Sequence, residues 1–402
     1  MPTIPVGAQV FDLVFHPTEN TVFLGLLTGE VKAFKYDDQG SASETFSLQP
    51  SKKSCRGLAL SDGGSKLHVV GKAKSLHTID VASGKSVEVK TGIHDAPINR
   101  IKRLFRHMLC TGDDDGVVKL WDTRQQDAII SYNHHFDFIS DFMWIEGKRH
   151  VVATSGDGSL SVMDVRSSKT KPIAQSEDQE DELLSIVPIR DGEKYVVGTQ
   201  MGILSIFNKA KGWGDCVDRV PGHPHSVDAL CTLPSSFSTS QSTILTGSSD
   251  GLLRVVQLFP TKLVGAIADH GEFPIERIAV DLDGEGRWVG SVGHDEALHL
   301  TDLQEVLEDD GDEEEEETDE ESKEGTSSKP DKNASSDEGE DGEEDSSAEE
   351  EDQKSSAKKD TCNDDNRKRK PKQLDPLGAE KRKKRKKGKK DVEADATFFS
   401  GL

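Results

Sequence analysis

Between His94 and Arg124 the chain alternates apolar and polar residues in three short pieces: Ile98 to Leu104, Met108 to Thr111 and Val117 to Trp121. A period of two predicts half-buried β-strands. Asp113-Asp114-Asp115-Gly116 separates the last two pieces. That is turn chemistry, because glycine accepts positive φ and aspartate bonds its own backbone. The same turn-then-strand unit recurs. With Asp122 as a strand end, the equivalent positions are Lys35, Asp80, Asp164, Asn208, Gln257 and Asp302, at gaps of 45, 42, 42, 44, 49 and 45 residues. Seven positions upstream stand Thr28, Ala73, Asp115, Asp157, Met201, Asp250 and Asp295, and glycine follows at 29, 116, 158, 202 and 251. Alternation then resumes, as in Leu160-Ser-Val162 and Leu252-Leu-Arg-Val255.

A unit of about 40–45 residues that ends in Trp-Asp resembles the WD repeat, one four-stranded blade of a β-propeller. The resemblance predicts an all-β fold, a seven-bladed WD-repeat β-propeller over residues 1–303. The expected blades are 10–37, 55–89, 94–132, 136–175, 183–220, 225–269 and 274–303. Only the third copy carries a literal Trp121-Asp122. WD repeats bury a hydrogen-bonded set of His, Ser or Thr, turn Asp and Trp. By position these are His94, Thr111, Asp115 and Trp121, and in the sixth copy His225, Thr246 and Asp250. Either Thr3 to Val6 or Gln304 to Leu307 is expected to supply the outer strand that closes the ring. Residues 234–242 account for the longest gap and read as a surface loop.

Composition changes at the end of the repeats. Residues 304–366 hold 29 Asp or Glu against 6 Lys, a net of −23. Such a stretch buries too little apolar surface to offset chain entropy and is expected to be disordered. Residues 367–390 hold 14 Lys or Arg against 2 acids. Their clusters are Arg367, Lys368, Arg369 and Lys370, then Lys381, Arg382, Lys383, Lys384, Arg385, Lys386 and Lys387. They read as a nuclear and nucleolar targeting signal. Weak RNA contact is a further expectation; if half of those charges met phosphates, log affinity would fall with log salt at a slope of about −5. Residues 391–402 form a short end, and Ser335 and Ser336 sit in an acidophilic-kinase context. Residues 1–303 keep a net of −10, which argues against nonspecific nucleic-acid binding by the repeats as a whole but leaves room for a local basic face.

Five scattered cysteines without C-x-x-C spacing suit a reducing compartment. No apolar run nears the roughly 20 residues of a membrane helix, so a membrane partner is not expected. Metal candidates dissolve on inspection. Asp113-Asp114-Asp115 has the spacing of a blade turn. The Asp281 to Glu285 stretch lacks the acid that a calcium loop needs twelve residues in. His134, His135, His223 and His225 fall at blade entrances. Nucleotide, hydrolase and zinc-protease motifs are missing, so neither an enzyme nor a cofactor is expected.

Trp121-Asp122-Thr123-Arg124 is echoed one blade later by Met163-Asp164-Val165-Arg166. This W-D-x-R ending resembles the box by which many WD-repeat proteins dock on the DDB-type adaptor of cullin-RING ubiquitin ligases. Physically, a repeat end fixes an arginine fork on the rim. The whole chain is similar to the family of WD repeat-containing protein 55. The likeness rests on the opening Ile4-Pro5-Val6 to His16-Pro17, the single W-D-x-R in the third blade, the acidic stretch, the Lys/Arg block and Phe398-Phe399. It implies a non-enzymatic, nuclear and nucleolar protein, with some in the cytoplasm. It would act as a scaffold for ribosomal RNA synthesis and processing, with ribosome-assembly factors on the propeller faces. It also implies use as a ligase substrate receptor, carried by Trp121, Asp122 and Arg124 and by Asp164 and Arg166.

Overall fold

The computed structural model describes residues 2–308; the acidic stretch beyond 308, the basic clusters, Ser335 and Ser336 lie outside the described residues. Seven four-stranded antiparallel sheets follow one another in a ring. The third blade is typical. Its strands are Ile98–Phe105, Met108–Asp113, Val117–Asp122 and Ile130–Asn133, paired in sequence order from the central channel outward. Each inner strand slips register at the same place, between its first and third residues: Val10/Asp12, Cys55/Gly57, Ile98/Arg100, Ile139/Asp141, Leu183/Ser185, Val227/Ala229 and Ile275/Arg277. A bulge there sharpens twist and re-aims the residues that line the channel.

Blades are held to each other by apolar side chains that alternate off both faces of each sheet. One cluster joins Leu104, Leu120 and Tyr132 of blade 3 to Ile139, Phe142 and Val151 of blade 4. Each such residue fully buried contributes about 1.5–3 kcal/mol. Cys110 is buried within this cluster, while Cys231 is half-buried against its own.

Blade 7 supplies only three strands of its own, Ile275–Val280, Trp288–Gly293 and Ala297–Asp302. Thr3–Pro5 is the fourth, with Ile4 opposite Leu298. Of the two expected closures, the N-terminal one is therefore made. Leu303–Glu308 is a short helix instead, and its buried Leu303 packs on the blade 6–7 core. Blade 1 extends past the expected bound of 37, because Ala42–Leu48 is its outer strand. That strand is largely exposed and shows little apolar alternation, which hides it from a pattern search. Residues 234–242 form the surface loop, pinned where the Ser235 amide and hydroxyl donate to Glu285.

The meander gives the ring two faces. We call upper the face that carries the turns between second and third strands and the connections between blades. Hairpins between first and second, and between third and fourth, strands form the lower face.

Candidate docking faces and the channel between them

On the upper side of blade 3 a buried relay fixes the repeat. The Trp121 indole N–H donates to Thr111 Oγ1 at 2.8 Å, Thr111 lies 2.6 Å from His94 Nε2, and His94 Nδ1 lies 2.7 Å from Asp113 Oδ2. An indole only donates and a carboxylate only accepts, so the order of the groups sets the tautomer: Thr111 donates to Nε2 and Nδ1–H donates to Asp113. The acid of this set is Asp113, not Asp115 as expected from spacing. Asp115 is exposed, and its amide donates to Asp113 Oδ1. In blade 6 the histidine is His223, 2.9 Å from Thr246, and not His225, which is exposed; Asp250 instead takes both ends of the Arg254 fork. Blade 4 pairs His135 with Asp157 and Ser161.

Blade 7 places His270 and His299 within 2.9 and 2.7 Å of Asp295 Oδ2, with Ser291 on the far side of His270. This is the one three-residue group among the described residues with metal-ligand types gathered together. Its spacings are those of hydrogen bonds, and His270–Ser291 repeats the His94–Thr111 contact in the same place. Burial pushes the Asp295 carboxyl up, but hydrogen bonds from the two imidazoles outweigh it and hold the group well below the usual range.

The lower rim carries the W-D-x-R. Trp121 is buried in the relay and unavailable to a partner. Arg124 is 68% exposed, and its Nε and Nη2 donate to the two oxygens of Asp122 at 2.9 and 2.6 Å. Arg166 repeats this on Asp164 at 2.8 and 2.7 Å and is 64% exposed. Hydrogen bonds from these arginines hold both carboxyls below the usual range. A third pair, Arg287 on Asp302, occupies the same rim in blade 7. It was missed because its arginine comes 15 residues before the aspartate rather than two after it. Around the first two pairs the lower segments 102–107, 122–129, 146–149, 164–173, 190–194 and 209–211 hold thirteen Lys or Arg against six acids. The local basic face foreseen as an option is therefore present, on blades 3 to 5.

The upper face is the opposite. In blades 3 to 7 its segments 92–97, 113–117, 133–138, 155–159, 176–182, 199–203, 221–226, 248–252, 269–274 and 293–297 hold sixteen acids and no Lys or Arg. Blade 2 alone is cationic there, through Lys52, Lys53, Lys72 and Lys74.

Between the faces the channel is plugged. Arg277 of blade 7 reaches Asp12 of blade 1 at 3.3 Å and Asp141 of blade 4 at 3.2 Å. Arg100 Nε donates to the Ser140 carbonyl at 2.6 Å. Burial raises the Asp12 carboxyl; for Asp141 burial also acts upward, but Arg277 and Arg100 outweigh it and the net shift is down. Below the plug is a cavity of about 460 Å³ that includes Trp144 and Pro188, and above it one of about 330 Å³. Sequence reading missed this quartet. Its signal was there: a charge at the third residue of four inner strands, Asp12, Arg100, Asp141 and Arg277, each two places after a buried Val or Ile.

A ring of seven such blades, carrying the buried relay and closed by an N-terminal strand, is a WD-repeat β-propeller, a scaffold class built to present loop faces. The WD40 β-propeller domain of Doa1, known from a crystal structure, superposes with a TM-score of 0.63 at 14% identity, covering 76% of this chain and 97% of that one. The WDR55 family model matches residues 1–306, and the chain belongs to that family. It is 58% identical over 306 residues to WD repeat-containing protein JIP5 of Coprinopsis cinerea, covering 75% of this chain and 74% of that protein. Against WD repeat-containing protein 55 of Arabidopsis thaliana it is 35% identical over 309 residues, covering 76% and 83%.

Proposed function

We propose that the protein is a non-enzymatic scaffold of the nucleus and nucleolus, with a cytoplasmic pool, that supports ribosomal RNA synthesis and processing by holding assembly factors on its two faces. The observation that carries the scaffold part is an acidic upper face on blades 3 to 7 set against a basic sector of the lower face on blades 3 to 5, on one ring. Surfaces of opposite sign on the two sides select partners of different charge. The nucleolar part is supported by the clusters within 367–390. Deleting 367–390 is expected to disperse the protein from nucleoli and to remove assembly factors from its proximity-labelled set. Unaltered nucleolar retention sinks the targeting role.

A second reading, docking on a cullin-RING ligase adaptor, is favoured by the exposed Arg124 and Arg166 held in like geometry on neighbouring blades. The Arg124→Ala, Arg166→Ala double variant is expected to lose that adaptor in affinity mass spectrometry while keeping its unfolding midpoint. Undiminished adaptor recovery removes this reading.

A further inference from the structure

The upper face exposes large apolar side chains that nothing in the propeller covers. Phe136 is 91% exposed, Met201 71%, Phe273 50% and Leu27 49%, all on upper loops. Phe136 and Met201 are projected rather than loose. The Phe136 amide donates to Asp157 Oδ2 at 3.0 Å, and that oxygen is tied to His135; the Met201 amide donates to Asp181 Oδ2 at 3.1 Å. Inward of them lies the mouth of the upper cavity, where Phe11, Phe138 and Leu184 line the wall and Arg56 and Arg100 are matched by Asp228 and Glu276. Exposed apolar surface rimmed by polar residues marks a protein-interaction site.

Charge selects the occupant. Glu177, Asp178, Glu180 and Glu182 crowd the loop that enters blade 5, beside Met201; Asp137 flanks Phe136, and Glu272 flanks Phe273. All six are exposed, and none has a Lys, Arg or His within 4.0 Å among the described residues. We infer that the upper face of blades 4 to 7 docks a Lys/Arg-rich protein segment that carries a bulky apolar residue. The apolar residue sits among Phe136, Phe138 and Met201 at the cavity mouth, and the cations meet the acidic loop of blade 5. A polyanion such as RNA is repelled by the acidic loops of this face. The inference rests on the scaffold reading and gives one of its faces a partner chemistry; its test is independent of localisation and of the lower rim.

The probe is a short synthetic peptide of alternating lysine and serine with one central p-benzoyl-phenylalanine, photo-cross-linked to the full-length chain and mapped by mass spectrometry. Cross-links are expected within 134–138 and 199–203. The Phe136→Ser, Met201→Ser double variant should fold with an unchanged midpoint and bind about tenfold more weakly. A glutamate-for-lysine peptide should not bind, and affinity should fall with salt. The acidic stretch after the propeller also attracts lysine, so position is the deciding readout. Cross-links confined to 309–402 or to the lower loops, equal affinity of the double variant, or capture of single-stranded RNA at 134–138 would overturn the inference.

Discussion

At the level of single residues, three successive aspartates show what position alone cannot tell. Asp113, Asp114 and Asp115 read alike, and counting back from Asp122 selects Asp115. Packing selects Asp113, because only its carboxylate meets His94 while also accepting the amides of Asp115 and Val117. Asp113→Ala leaves a buried imidazole donor unpaired and is expected to cost about 3 kcal/mol, whereas Asp115→Ala should stay within about 0.5 kcal/mol. Denaturant midpoints of the two variants separate them; equal losses would return the role to Asp115. A second residue-level effect is acid sensitivity. Burial pushes the His68 imidazole down to about 4, and that of His134 likewise. The unfolded chain takes up protons below about pH 6.5 that the folded chain refuses until about pH 4. Folded pKa below unfolded means that stability is fully present above pH 6.5 and is lost as pH falls toward 4. For His68 the loss approaches about 3 kcal/mol. His68→Asn should flatten this part of the pH–stability curve, measured by urea unfolding from pH 7 to 4. A curve as steep as the parent's would show that His68 is not its source.

At the level of elements, the inner three strands of each blade were legible and most outer strands were not. Inner strands are packed on both faces, so their apolar residues repeat at near-constant spacing, as does the turn after the second strand, which is centred on Gly in five blades and on the positive-φ residues Lys74 and Glu296 in the other two. Gly116 shows why the turn is so specific: its φ is +79°, and a Cβ there would sit 2.8 Å from the His135 carbonyl. Outer strands face solvent and pair on one edge only, so Ala42–Leu48 and the two-residue Ala174–Gln175 carry no clear period. The closing strand Thr3–Pro5 has only three residues, and only geometry chose it over 304–307. Removing residues 1–6 should strip the outer ladder from blade 7 and leave Leu298 and His299 on an open edge. A fall in Tm of roughly 5–10 °C is expected, with faster amide exchange across 297–302 than in blades 3 and 4. Exchange that rises evenly around the ring would mean the strand does not close it locally.

At the level of the whole molecule, two arginines join blades far apart in the ring: Arg103 of blade 3 reaches Asp283 of blade 7 at 3.5 Å on the exposed lower side, and Arg277 makes the buried links. It holds Asp12 of the first blade and Asp141 of the fourth from the seventh, so the pair distances depend on all seven blades being in place. No sequence window contains that relation, since the three residues are separated by 129 and 136 positions. With the arginine present, two buried carboxylates are compensated. Arg277→Met removes the cation and leaves Asp12 and Asp141, both almost fully buried, without their shared partner. Breaking a buried pair from one side costs about 3–5 kcal/mol, because an uncompensated charge remains in low dielectric. Asp12, already raised by burial, then rises further and Asp141 loses the main charge that held it down, so protonation favours folding. The deficit of the variant relative to the parent should therefore be largest at pH 7 and shrink toward pH 4. Replacing all four, as Asp12→Asn, Arg100→Met, Asp141→Asn and Arg277→Met, should recover most of the stability at pH 7, since no lone charge of the plug remains. Guanidinium unfolding at both pH values decides the matter. If Arg277→Met is as stable as the parent at pH 7, the ring is held by its blade interfaces alone, and the charged plug divides the channel without binding the blades together.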